Sequence, residues 1–168
     1  MRRAVSLAAA LAVVLCGAGA AAAEPRSRIA ADGAVELYAG ERVTLRFTAA
    51  GPPQLVKAEA APLTAANPPK PGQGAFPDPP AGAVVLAAGR EGGQLRLKIE
   101  SGLSQAFDYR ARLLGAAGEV APACTALPLL ASYEQWTTPA EGVRLSDFRF
   151  RDTNEVVCYP AGQPPLAK

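Results

Sequence analysis

The chain has 168 residues, 49% of them hydrophobic, with 17 Lys and Arg, 15 Asp and Glu, and no His. That size fits one domain around one core. The near balance of charge excludes the basic surplus that carries nucleic-acid binding, and the missing histidine removes the usual base of serine and cysteine hydrolases and the commonest zinc ligand.

The first 23 residues have the layout of a cleaved secretory signal. Met1-Arg2-Arg3 is a basic start, Ala4 to Leu15 is an apolar run broken only by Ser6, and Ala20 to Ala23 form a small-residue exit before Glu24-Pro25. The run is shorter than the roughly 20 apolar residues that span a bilayer. Cleavage is expected after Ala23, with Ala20 and Ala22 as alternatives. Cys16 follows Leu15, whereas lipoprotein signals resemble Leu-Ala-Gly-Cys with a small residue before the cysteine, and the flanks of Arg2-Arg3 do not match a twin-arginine signal. The remainder, about 145 residues, carries equal numbers of basic and acidic side chains. It has no second apolar stretch long enough to span a membrane. A periplasmic or secreted destination is expected.

Periodicity downstream is two. Val35–Tyr38 and Arg42–Ala49 flank Ala39-Gly40-Glu41, a hairpin signal, and Gln54–Ala58 follows. Residues 60–82 read as a long irregular loop, because Pro62, Pro68, Pro69, Pro71, Pro77, Pro79 and Pro80 cannot donate to a ladder. Val84–Gly89 and Gln94–Glu100 flank Arg90-Glu91-Gly92-Gly93, a second hairpin signal. Phe107–Leu113, Ser132–Trp136, Val143–Phe150 and Glu155–Tyr159 complete nine predicted strands. In three of them apolar residues alternate with polar or charged ones, as in half-buried antiparallel strands: Val43, Leu45, Phe47; Leu95, Leu97, Ile99; and Phe107, Tyr109, Ala111, Leu113. The expected fold is all-β: an antiparallel β-sandwich over residues 24–160, immunoglobulin-like, with a flexible tail over 161–168. Val143 and Leu145 differ in parity from Phe148 and Phe150, and a bulge at Ser146-Asp147 returns both pairs to the core.

Cys124 and Cys158 form an even pair in an oxidising compartment and predict one disulfide, whose loop closure contributes roughly 3–4 kcal/mol in the chain-entropy model. Trp136, between them, is read as a core plug.

Carboxylates are what remains for catalysis. Glu134, Glu141, Asp147, Asp152 and Glu155 crowd the end of the sequence, and two facing each other across a cleft would suit glycoside hydrolysis; charged turns and strand exteriors are the simpler reading. Asp147, Asp152, Asn154 and Glu155 do not match a calcium-loop pattern, and phosphate-binding glycine loops are absent, so no metal or cofactor is expected. Arg46, Arg96, Lys98, Arg110, Arg112, Arg149 and Arg151 lie on the polar sides of strands. Should those strands share a sheet, its open face would be basic and suited to an anionic envelope polymer or an acidic protein.

Ser101-Gly102-Leu103, Tyr109-Arg110-Ala111, Cys124, Glu134, Trp136, Asp147-Phe148 and Cys158 together resemble a group of uncharacterised exported proteobacterial proteins with a two-cysteine sandwich domain. The resemblance covers about the second half of the chain beyond the leader. It implies the compartment and the fold and carries over no site. The expected function is a non-enzymatic binding or accessory module of the bacterial envelope. The alternatives are a small carboxylate-dependent hydrolase of glycans or peptidoglycan, and a secreted enzyme inhibitor that presents the proline-rich loop.

Overall fold

The computed structural model describes residues 24–48, 51–70, 79–115 and 118–163. The expected signal peptide, the middle of the proline-rich stretch and the end of the tail lie outside the described residues. The strands are β1 (Arg28–Ile29), β2 (Val35–Tyr38), β3 (Glu41–Arg46), β4 (Gln54–Ala60), β5 (Ala83–Glu91), β6 (Gln94–Ser101), β7 (Ala106–Leu114), β8 (Val120–Ala121), β9 (Ala123–Cys124), β10 (Ala131–Trp136), β11 (Gly142–Arg151) and β12 (Cys158–Tyr159). They form a first sheet in the order β1-β2-β11-β7-β8, a second in the order β10-β6-β5-β3-β4, and a small ribbon β12-β9. The strand pairings among the described residues are antiparallel, and the two large sheets pack as a sandwich.

Alternation decides which side chains fill the space between the layers. Val35, Leu37, Val143, Leu145, Phe107, Tyr109, Ala111 and Leu113 come from the first sheet, and Val43, Leu45, Val84, Leu86, Leu95, Leu97 and Ile99 from the second; all belong to one buried cluster. Trp136 is buried with them, and its indole N–H donates to the Pro122 carbonyl at 2.9 Å. An unpaired indole N–H would be costly there, so this bond is what lets the ring serve as a core plug.

Several expectations need correction. Ala39-Gly40 does not close a hairpin: β2 and β3 lie in different sheets, and the turn at Gly40, with φ +88°, carries the chain across the sandwich. Arg90–Gly93 does close one, since β5 pairs directly with β6 around Gly92 and Gly93, both at positive φ as a type I′ turn requires. The bulge between Ser146 and Arg149 is present, with Asp147 left-handed at φ 54°. It turns Phe148 and Phe150 towards Phe107, but Phe150 stays 40% exposed at the end of the core. The disulfide Cys124–Cys158 links directly opposed residues of β9 and β12, outside the two main layers. What the architecture shares with immunoglobulin domains is the two-layer antiparallel sandwich.

The proline-rich stretch is also more ordered at its start than a long loop. β4 continues to Ala60, and a 3₁₀ turn over Leu63–Ala66 lies on the outer face of β5 and β6. Ala66 is buried there, and Asn67 accepts a bond from Arg96 at 3.1 Å. The outer face of β6 is therefore only partly open to water: Lys98 is buried, paired with Glu100 at 2.6 Å, and its ammonium pKa is lowered by desolvation.

Gly89 makes this covering possible, because a Cβ at that position would stand 1.8 Å from the Leu63 carbonyl oxygen. Gly89→Ala is predicted to displace the turn and cost about 2 kcal/mol. Equilibrium urea unfolding measures this; an unchanged midpoint would contradict the placement of the turn.

Candidate functional site

The basic residues do not converge. Arg46 and the pair Arg96 and Lys98 stand on β3 and β6 in the second sheet, whereas Arg110 and Arg112 stand on β7, and Arg149 and Arg151 on β11, in the first. With a core between the sheets, the two groups leave the sandwich on opposite sides. Many also have partners: Arg96 pairs with Glu91, Lys98 with Glu100, Arg110 with Asp147 at 3.4 Å and Arg151 with Asp108 at 3.3 Å. Arg112 donates to the Gly118 carbonyl at 3.4 Å. The condition for a shared basic face, one sheet, is not met. Local alternation shows which side of a strand is polar but not which sheet the strand joins.

The late carboxylates hold different parts of the structure. Glu141 pairs with Arg26 at 2.9 Å, and Asp147 sits in the bulge beside Arg110. Asp152 and Glu155 are exposed in the connection after β11. Glu134 has the most structural role. From the edge strand β10 of the second sheet, its Oε1 accepts the Tyr109 hydroxyl at 3.0 Å and the Cys124 amide at 2.7 Å. Both donors lie across the sandwich, on β7 and on the segment 120–126 that runs beside it. Desolvation raises the Glu134 carboxyl pKa, with the Cys124 and Tyr109 bonds opposing the rise. Burial, reinforced by Glu134, drives the Tyr109 phenol well above its ordinary value.

A second polar cluster fixes the same segment from its other side. Buried Asp108 accepts from Thr125 Oγ1 at 2.6 Å and from the Tyr159 hydroxyl at 3.0 Å, with Arg151 alongside. Thr125 and Val157 are joined by main-chain and side-chain bonds of 2.9 and 3.1 Å. Asp108 was legible in the sequence only as one polar residue of an alternating strand. Among the described residues, no three His, Cys, Asp or Glu side chains are grouped to hold a metal ion.

The feature best suited to recognition lies at one end of the sandwich. A cleft of about 440 Å³ opens where β3 and β11 finish and where the connection from β6 to β7 passes the end of the proline-rich stretch. Phe47, Leu103 and Phe150 supply its apolar surface, Thr48, Ser104 and Gln105 its polar groups, and no ionisable residue lines it. Behind it the rings of Phe47, Phe107, Phe148 and Phe150 pack with centroids 5.1 to 6.1 Å apart. Register gathers further apolar surface at this end. Leu55 faces Leu45 two residues before Phe47, and the Leu130 carbonyl accepts from Ser101 N–H at the end of β6. Of seven large hydrophobic residues exposed among the described ones, Phe150 lines the cleft, Leu55 and Val56 stand on edge strand β4, and Leu129 and Leu130 precede the opposite edge strand β10. Leu129 is the most exposed, at 72%, with φ 54°. None of these was singled out from sequence as a binding residue. The parity break at Asp147, which sends two phenylalanines to this end, was the available signal.

No family model matches the chain, and neither a curated protein nor a solved structure matches it.

A glutamate whose folded pKa is raised binds its proton more tightly in the native state than in the unfolded chain. Its stabilising contribution is full below the ordinary value of 4.5 and is lost as pH rises through the folded value. Glu134→Gln keeps the acceptor and removes the titration. It is predicted to flatten the loss of stability above pH 4.5 and to equal or slightly exceed the parent protein at pH 7. Glu134→Ala strands an amide and a phenol, and should cost about 2 kcal/mol. Urea unfolding from pH 4 to 8 checks both; a steeper pH profile for the Gln variant would contradict the role assigned to Glu134.

Proposed function

We propose that the protein is an exported, non-enzymatic binding module of the bacterial cell envelope that engages a protein partner through the apolar end of its sandwich. The observation that carries this reading is the uncharged cleft at one end of the sandwich, with exposed Phe150 in its wall and exposed Leu55, Val56, Leu129 and Leu130 at the same end of the two edge strands of the second sheet. Apolar surface gathered at one end of a folded domain is costly to leave in water and marks contact sites. A protein partner fits better than an anionic polymer, because the arginines are divided between two faces and many are already paired. The export half of the reading rests on the leader-like first 23 residues and on the disulfide, which suits an oxidising compartment. A carboxylate hydrolase draws less support, since Glu134, Glu141 and Asp147 are engaged in structural contacts on separate elements.

The test is site-specific photo-crosslinking in cells expressing the full chain. A crosslinking residue placed at Leu55, on β4, or at Leu129, in the turn before β10, should capture the same partner. One placed at Arg112, on an outer face, should not. Leu129→Ser combined with Leu130→Ser should reduce capture from Leu55 at least about fivefold, since exposed leucines contribute through buried apolar area. Capture from Arg112 alone, or from no position, would overturn the assignment.

A further inference from the structure

The disulfide sits apart from both layers of the sandwich. Cys124 and Cys158 face each other in a ribbon of two two-residue strands, and among the described residues β12 pairs with β9 alone. Cys124 is half-buried, whereas Cys158 is exposed. Exposure alternates along the approach to it. Val156 and Cys158 are exposed, Val157 is half-buried and Tyr159 is buried. One sulfur-bearing residue of the pair is therefore presented to solvent on an extended segment. Thiol–disulfide exchange needs access of a thiolate to a sulfur, and exposed disulfides are the ones that undergo it.

The two cysteines differ in what else holds them. Segment 120–126 keeps its ladder pairs to β7, the Phe107–Ala126 bridge, the Cys124 amide bond to Glu134 and the Trp136 bond to Pro122, none of which involves a sulfur. β12 has fewer ties. Thr125 N–H donates to Val157 O at 2.9 Å, Val157 N–H to Thr125 Oγ1 at 3.1 Å, and the Tyr159 hydroxyl to Asp108 at 3.0 Å. Water replaces polar contacts of this kind at modest net cost. Apolar burial adds little, because Tyr159 alone among residues 152–163 is buried. Residues 152–157 belong to no strand or helix, so no longer element anchors β12 from its N-terminal side. With the sulfurs parted, Asp108 still has Arg151 and Thr125 as partners.

We infer that Cys158 is a site of thiol–disulfide exchange with a protein dithiol, and that the exchange frees residues 156–159 from segment 120–126 while the sandwich stays folded. A thiolate of the dithiol attacks Cys158 Sγ, and Cys124 leaves as a thiolate that takes up a proton. The second thiol of the dithiol loses its proton and attacks its neighbour's sulfur in the mixed disulfide. Cys158 then leaves as a thiolate and is protonated. One S–S bond is lost from this protein and one is formed in the dithiol, which is oxidised by two electrons.

The test treats the folded, oxidised protein with dithiothreitol as the dithiol and with glutathione as a monothiol. Reduction should rise in proportion to dithiothreitol concentration, at a rate within about tenfold of that in denaturing urea, since access governs the exchange. The glutathione adduct, trapped by rapid alkylation and mapped by mass spectrometry, should lie on Cys158. Amide hydrogen exchange then reads the consequence. In the reduced protein Cys124 should keep pace with the core amides of Leu97 and Ala111, whereas Thr125 and Val157 should exchange about a hundredfold faster than these. The double variant Cys124→Ser and Cys158→Ser should give the same pattern without any reductant. Reduction only at the rate of global unfolding, or an adduct on Cys124, would overturn Cys158 as the exchange site. Thr125 keeping pace with the core after reduction would show β12 still docked. Loss of the native sheet signals would show the disulfide to staple the whole fold, and either result overturns the release.

Discussion

The sandwich depends on a strand-like segment, residues 120–126, that is bonded to both layers. It runs along β7 through the Ala111–Ala121 and Arg112–Val120 pairs and the Phe107–Ala126 bridge. It also reaches the opposite sheet, where Glu134 accepts the Cys124 amide and Pro122 accepts the Trp136 indole. Buried or half-buried polar groups of this kind are expensive unless every partner is in place. Once they are, the edges β8 and β10 cannot part without stranding an amide, a phenol and an indole. The Asp108, Thr125 and Tyr159 contacts and the disulfide then attach β12 to the same segment. Two cysteines that do not join the main layers thus still secure the side on which the layers close.

The bulge in β11 has a comparable reach at the end of the sandwich. Val143 and Leu145 fill the centre of the core, and an unbroken strand would turn Phe148 and Phe150 to the outer face. One left-handed residue corrects the parity, and aspartate tolerates that conformation better than most side chains. Arg110 lies against its carboxylate. The result is an aromatic cluster that begins in the core at Phe107 and ends at the surface at Phe150, and the proposed recognition site is its exposed end.

Much of the inner architecture was legible from alternation alone. Eight of the nine predicted strands occur with shifted ends, the ninth shrinks to Cys158–Tyr159 in the ribbon, and the residues predicted to face inward on β3, β6 and β7 do so. The bulge was legible because parity is a strict rule, and the disulfide because Cys124 and Cys158 are the two cysteines outside the leader-like segment. What alternation does not encode is the layer a strand joins. Ala39-Gly40 therefore looked like a hairpin, and whether Arg46 and Arg112 share a face was left open. Two-residue strands such as β8 and β9 carry no period at all. The outer cover of β6 was hidden because its cause, a carbonyl lying on Gly89, sits in a proline-rich stretch that local rules read as loop. Glu134 looked like a candidate acid because a sequence does not show which amide a carboxylate will meet.

Native-state hydrogen exchange at Cys124 and Thr125 tests the central claim most directly. Neither amide belongs to a long strand, yet one is held by Glu134 from the opposite sheet and the other by Val157. If the segment ties the layers together, both should exchange only with global unfolding, at the rate of core amides such as those of Leu97 and Ala111. Exchange orders of magnitude faster, as in an open connection, would contradict the account.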